Sequence, residues 1–204
     1  LALAFATARL YDGRLEDALI HFGAAERLQA SLEREHPLAM ELRGWIVLVH
    51  ALKGDRVATL ATLAAMGADE REAAGARLAD AALRLAQGAH EEALDVLTPL
   101  IEGTPKALHP RWATVHALLF DAAARDRLRD RAGAEASIER ALELAEPDGV
   151  VLQFALAPVR ELLERHPRHR TTHATLLDTI FGVLAGRSPP PRETASLTEE
   201  NAFA

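Results

Sequence analysis

Residues 87–100 read QGAHEEALDVLTPL, and the spacing inside this stretch decides the fold. Gly88 marks a turn, and Ala93, Leu97 and Leu100 follow at offsets of four and seven, which put all three on one face of a helix. Three other stretches align with it residue for residue. DGRLEDALIHFGAAERL (12–28) supplies Gly13, then Ala18, Phe22 and Ala25; KGDRVATLATLAAM (53–66) supplies Gly54, then Thr59, Leu63 and Met66. In RDRAGAEASIERALELAEP (129–147) the three positions are Ala134, Ile138 and Ala141, and Arg129 stands where the others have glycine. The anchors Ala18, Thr59, Ala93 and Ala134 are 41, 34 and 41 residues apart.

Such periods belong to two-helix repeats, in which a hairpin cannot bury its own apolar face and stacks on its neighbours. Upstream of each anchor lies a second amphipathic stretch, at 3–10, 38–52, 71–86 and 111–125. Twelve residues before each anchor stand Ala6, Val47, Ala81 and Ala122, small enough for close helix crossing. The sequence therefore predicts an all-α fold: a right-handed α-solenoid of antiparallel helix hairpins, tetratricopeptide-like, with about four repeats and a C-terminal helix pair. His36-Pro37, Thr104-Pro105, His109-Pro110 and Glu146-Pro147 punctuate the helices. VVLQFALAPVRELLERHP reads as a helix made irregular by Pro158, and a last helix spans about 168–184 before Gly186. Residues 1–186 are thus one repeat domain. RSPPPRETAS has too little apolar surface to offset the entropy of ordering, so 187–204 reads as a flexible linker.

Composition agrees. Of 204 residues 49% are hydrophobic but only 4% aromatic, the apolar share being carried by Ala and Leu, the best apolar helix formers. A net charge of -7 disfavours a surface that wraps phosphate backbones. Cysteine is absent, which removes disulfides and thiolate chemistry and fits the cytoplasm. No apolar run approaches a membrane span. With no initiator Met and an end just past a linker, the chain reads as a piece of a longer protein.

DRAGAEASIERALELAEPDG and the Phe154-containing segment after it, with Val159, Leu162 and Leu163, resemble the end of the repeat domain of large ATP-binding LuxR-type (MalT-like) transcription regulators. The resemblance covers roughly 128–199, including the proline linker and Ser196, Leu197, Thr198 and Glu199, which are similar to the first residues of that family's helix-turn-helix domain. Glu200, Asn201 and Ala202 then depart from its pattern. The resemblance implies a sensor or protein-interaction scaffold, binding a protein partner or small inducer in the repeat groove and controlling a DNA reader beyond the chain. It places ATP in a separate NTPase module: no Gly-Lys-Ser/Thr phosphate loop occurs here, and neither a cofactor nor direct nucleic-acid contact is expected of these residues. A second protomer is a further expected partner. The alternative is a stand-alone tetratricopeptide-like adaptor that binds peptides.

Four residues form the candidate ligand site. Arg9, His50, Arg84 and Arg125, each nine residues before an anchor, make a basic column suited to an acidic peptide or anionic ligand. Asp80 and Asp121, four residues before Arg84 and Arg125, offer the plainer reading of helix-surface ion pairs. Trp45, near His50, suits stacking on a ligand, or simple packing between repeats; Trp112 shares that ambiguity. The candidate site is therefore Trp45, His50, Arg84 and Arg125. His166, His169 and His173 have helical spacing that zinc could use, but Arg165, Arg168 and Arg170 crowd them, and the stretch reads as a solvated basic helix start with no metal. Gly-x-Ser-x-Gly, His-Glu-x-x-His and Rossmann glycines are missing, and the chain is read as a non-enzyme.

Overall fold

The computed structural model describes residues 2–11, 13–31, 38–103, 110–168 and 171–187. Every regular element among them is helical: α1 (Ala2–Tyr11), α2 (Leu15–Ala30), α3 (Leu38–Leu52), α4 (Arg56–Ala65), α5 (Ala68–Arg71), α6 (Ala74–Gln87), α7 (His90–Glu102), α8 (Pro110–Arg127), α9 (Arg131–Ala145), α10 (Leu152–Leu156), α11 (Arg160–Arg165) and α12 (Ala174–Leu184). None of these helices is long and apolar enough to cross a membrane.

Four helix pairs, α1–α2, α3–α4, α6–α7 and α8–α9, are joined by one repeated turn. Gly13, Gly54 and Gly88 have φ of 71°, 75° and 78°, and Arg129 adopts the same left-handed conformation at 65°. The N–H after each turn residue donates to the carbonyl five positions back: Arg14 to Arg9, Asp55 to His50, Ala89 to Arg84 and Asp130 to Arg125, all at 2.9–3.0 Å. Each turn residue also donates to the carbonyl three positions back. This bond pair satisfies the last carbonyls of the first helix. The backbone N–H groups of Ala18, Thr59, Ala93 and Ala134 then bond to Arg14, Asp55, Ala89 and Asp130, so all four anchors hold the same place in a second helix.

A side chain at left-handed φ is strained, which makes Arg129 a misfit that a glycine would relieve. Arg129→Gly is expected to raise stability by about 0.5–1 kcal/mol, net of glycine's greater freedom when unfolded. Urea titration should show a higher midpoint at an unchanged slope.

The second helix of a hairpin packs on the first helix of the next, α2 on α3, α4 on α6 and α7 on α8, and first helices meet directly in α3–α6 and α6–α8. Ala18, Thr59 and Ala93 are 0% exposed and Ala134 is 1% exposed. Ala6, Val47, Ala81 and Ala122 are equally buried. Ala25 and Leu63, expected on the same inner faces, are only half-buried. Two apolar clusters result, one around the first hairpin and a larger one over the rest, with Trp45 and Leu52 packed against both.

The tightest crossing was not apparent from the anchors. On α3 and α6, Gly44 and Gly75 meet backbone to backbone, and a Cβ on Gly75 would lie 2.7 Å from the Cα and carbonyl carbon of Gly44. Gly75→Ala is expected to destabilise by about 1–3 kcal/mol, because two main chains must move apart. At Gly23 on α2 a Cβ would meet only the end of Arg27 at 3.5 Å. There the better helix propensity of alanine prevails, and Gly23→Ala should gain up to about 1 kcal/mol. Opposite signs in one denaturation series are the check.

The C-terminal part differs from the expected helix pair. Pro158 splits the first helix into α10 and α11, with Ala157 extended at ψ 149°, the conformation a residue before proline favours. The last helix begins at Ala174 instead of about 168, since the Thr171 hydroxyl accepts the His173 N–H at 3.1 Å and holds a turn there. Phe154, Val159 and Leu163 are buried, and α10 touches α8, α12 and, far away in sequence, α1. Leu156 packs against the cluster of the first hairpin. Of the expected linker 187–204, residues 188–204 lie outside the described residues, as do Ser196 to Glu199.

Candidate functional site

The fold leaves a cavity of about 530 Å³ where the ends of three first helices face α10 and α11. α3 contributes Ala51 and Leu52, α6 Ala82 and Leu85, and α8 Phe120 and Ala123. Small residues recess this wall. Leu156, Ala157, Pro158 and Leu162 form the opposite one, held there by the buried anchors Phe154, Val159 and Leu163. His90, the first residue of α7, completes the lining with Asp126, Arg127, Arg160 and Glu161. The Nδ1 of His90 is shut off from solvent and has no hydrogen-bond partner among the described residues. The arrangement can hold a small molecule, being concave and lined by both apolar and polar surface.

None of the four sequence-predicted site residues lines this cavity. Trp45 is half-buried in the seam between the two apolar clusters, the packing role. His50, Arg84 and Arg125 occupy the helix ends whose carbonyls receive the repeated turn bond, where the two arginines also complement the helix dipole. Arg84 Nε donates to Asp80 at 3.0 Å, and its guanidinium also pairs with Glu92 across the turn. Arg125 Nε donates to Asp121 at 2.7 Å and Nη1 to Asp130 at 2.9 Å. These bonds, that to Asp80 foremost for Arg84 and that to Asp121 for Arg125, hold both guanidinium pKa values above their ordinary value. Asp121, only 4% exposed, also accepts from the Ser137 hydroxyl on α9. Asp130 caps α9 through the Gly133 N–H, and that bond, ahead of Arg125, lowers its pKa. Arg84 and Arg125 thus staple their first helices to the turns and second helices of their hairpins.

The histidine stretch is not a solvated helix start. His166 is buried, and its Nε2 lies 2.8 Å from Glu139 Oε1; Nδ1 of His173 lies 2.8 Å from Glu146 Oε2. The Thr171 hydroxyl donates to the other oxygen of Glu139 at 3.3 Å. Both acids come from the α9 end of the chain, 27 residues before their partners, so no local spacing announces them. His169 and Arg170 lie outside the described residues. Among the described residues no group of three or more His, Asp or Glu is placed to hold a metal.

His116, which the sequence did not single out, lies fully inside α8's packing, its ring 5.0 Å from that of Phe120 and its Nε2 without a hydrogen-bond partner among the described residues. Burial pushes its pKa down from 6.5 to about 4.

No protein-family model, curated protein or solved structure matches this chain.

Proposed function

We propose that this chain is the sensor region of a LuxR-type, ATP-dependent transcription regulator, a right-handed tetratricopeptide-like solenoid whose groove takes a ligand or partner and controls a tethered DNA-binding domain in the cytoplasm. The LuxR-type assignment rests on the sequence resemblance over about 128–199; the observation that carries the sensor role is the cavity with three first helices on one side and α10 and α11 on the other. An occupant there touches both the repeat array and the segment that leads towards the linker. Binding that favours one docking of α10–α11 over another shifts how the DNA reader, or a second protomer, is presented. The reading gives the chain no catalytic role, and it places ATP in a different module.

The test is the full-length protein with Leu156→Asp, a substitution aimed at the contact between α10 and the first hairpin. Sequence-specific DNA binding whose affinity or protomer number changes with this variant is the expected result. A full-length chain with no DNA-binding segment after residue 199, or DNA binding indifferent to the variant, would overturn the reading.

A further inference from the structure

α4 turns Thr59 inward and packs on α3 and α6. Val57, Leu60, Ala61 and Ala64, at offsets of three, four and seven, share its other face. Val57 is 80% and Leu60 45% exposed, and both alanines are exposed. The repeat register supplies the comparison. At the same four positions α2 has Glu16, α7 has Glu91 and Asp95, and α9 has Glu135 and Glu139, the charges that suit the outer side of a surface helix to water. α4 has none there. From this apolar face and the charges at its two ends we propose that α4 is the contact between two copies of this chain, crossed antiparallel about a two-fold axis.

An axis between Leu60 and Ala61 sets Val57 against Ala64 of the second copy and Leu60 against its Ala61, each larger side chain over a small one. The ends complement each other as well. Residues 57–68 carry no charge; Arg56 precedes them and Asp69 follows, both are exposed, and neither makes an ion pair among the described residues. Antiparallel crossing brings Arg56 of one copy to the end that holds Asp69 of the other, whereas a parallel one would bring like charges together. That order of charges favours a second copy over an unrelated apolar helix. Arg71 donates to the carbonyls of Met66 at 3.1 Å and Ala64 at 3.2 Å, so the end of α4 is closed from within the chain. A helix of 10 residues is about 15 Å long, so the contact is at the small end of specific interfaces and the dimer is weak, with Kd on the order of 10 µM.

Sedimentation velocity of the 204-residue chain, from about 1 µM to about 300 µM, is expected to show a reversible equilibrium of monomer and dimer. Val57→Glu and Leu60→Glu, which give α4 the charge its sister helices have, should each raise Kd about tenfold or more at an unchanged helical circular-dichroism spectrum. Arg56→Asp should weaken the dimer about fivefold, and adding Asp69→Arg in the same chain should restore it. The chain has no cysteine, so Ala61→Cys, beside the axis, should give a disulfide-linked dimer on mild oxidation, and Asp95→Cys, at the equivalent place on α7, should not. Should a glutamate variant not fold, the two cysteine variants still decide. A chain that stays monomeric at every concentration would overturn the second copy as occupant, and a dimer indifferent to both glutamates would overturn this face. A charge exchange that restores nothing, or a cysteine at 61 that does not cross-link, would overturn the antiparallel crossing. None of these measurements involves the cavity or DNA, so the sensor reading and this contact fail separately.

Discussion

Replacing Ala93 with arginine is expected to lower the stability of the chain by about 2 kcal/mol or more, whereas Asp95→Arg on the same helix should change it by less than about 0.5 kcal/mol. Ala93 is wholly buried on α7, packed between α6 and α8, and its N–H closes the first turn on Ala89. A long cation there has two poor choices. It can stay inside and force the helices apart, or it can thread outward and leave a void beside a strained rotamer. Asp95, two positions on, is exposed. Guanidinium denaturation of both variants supplies the difference, and near-equal losses would mean that the repeat register drawn through Ala18, Thr59, Ala93 and Ala134 is wrong.

Acid should weaken the fold through His116 in a window where carboxylates are still ionised. The ring is neutral in the folded chain down to about pH 4, while in the unfolded chain it takes up a proton near 6.5. Above the higher value neither state is protonated and the group has no effect on stability. Between the two values the unfolded state binds the extra proton, so stability falls by about 1.4 kcal/mol for each unit that pH drops, about 3 kcal/mol in all. His116→Leu removes that dependence. Unfolding free energies of both proteins at several pH values from 7 to 4 provide the comparison, and parallel curves would show that the imidazole does not stay neutral inside α8. Glu70 and Asp130, held low by the backbone N–H groups of Gly67 and Gly133, act in the same direction at lower pH. Subtracting the variant isolates the histidine.

The parts of this fold that were legible in the sequence are those set by short-range spacing. A glycine five residues before a small anchor specifies a left-handed turn, a pair of backbone bonds and a helix start, all within a dozen residues. The pattern holds even at Arg129, where the side chain is wrong for the conformation and the surrounding bonds impose it. The Gly44–Gly75 crossing escaped notice because it lies outside the anchor register, and each glycine taken alone looks like a weak point in a helix. The acid partners of His166 and His173 lie 27 residues away, so a local count of charges found only arginines. The basic column has the period of the turn, and the pairs of Arg84 with Asp80 and of Arg125 with Asp121 that four-residue spacing offers are present. The cavity had no signature at all, since its two walls are brought together by the docking of α10 and α11 on helices that precede them by up to about a hundred residues.

The contact between α10 and α1 bears on how the chain reaches this structure. Hairpins that touch only their neighbours can form in any order and fray from either extremity, giving broad, multistep unfolding. Here the apolar side chain of Leu156 is seated among residues of the first hairpin, so α1 and α2 lack part of their cover until α10 has emerged. That contact closes a very long loop and belongs late in folding. Once made, it ties α1 to α10, so amide exchange in α1 and α2 should slow in step with that of the central helices instead of running ahead of them.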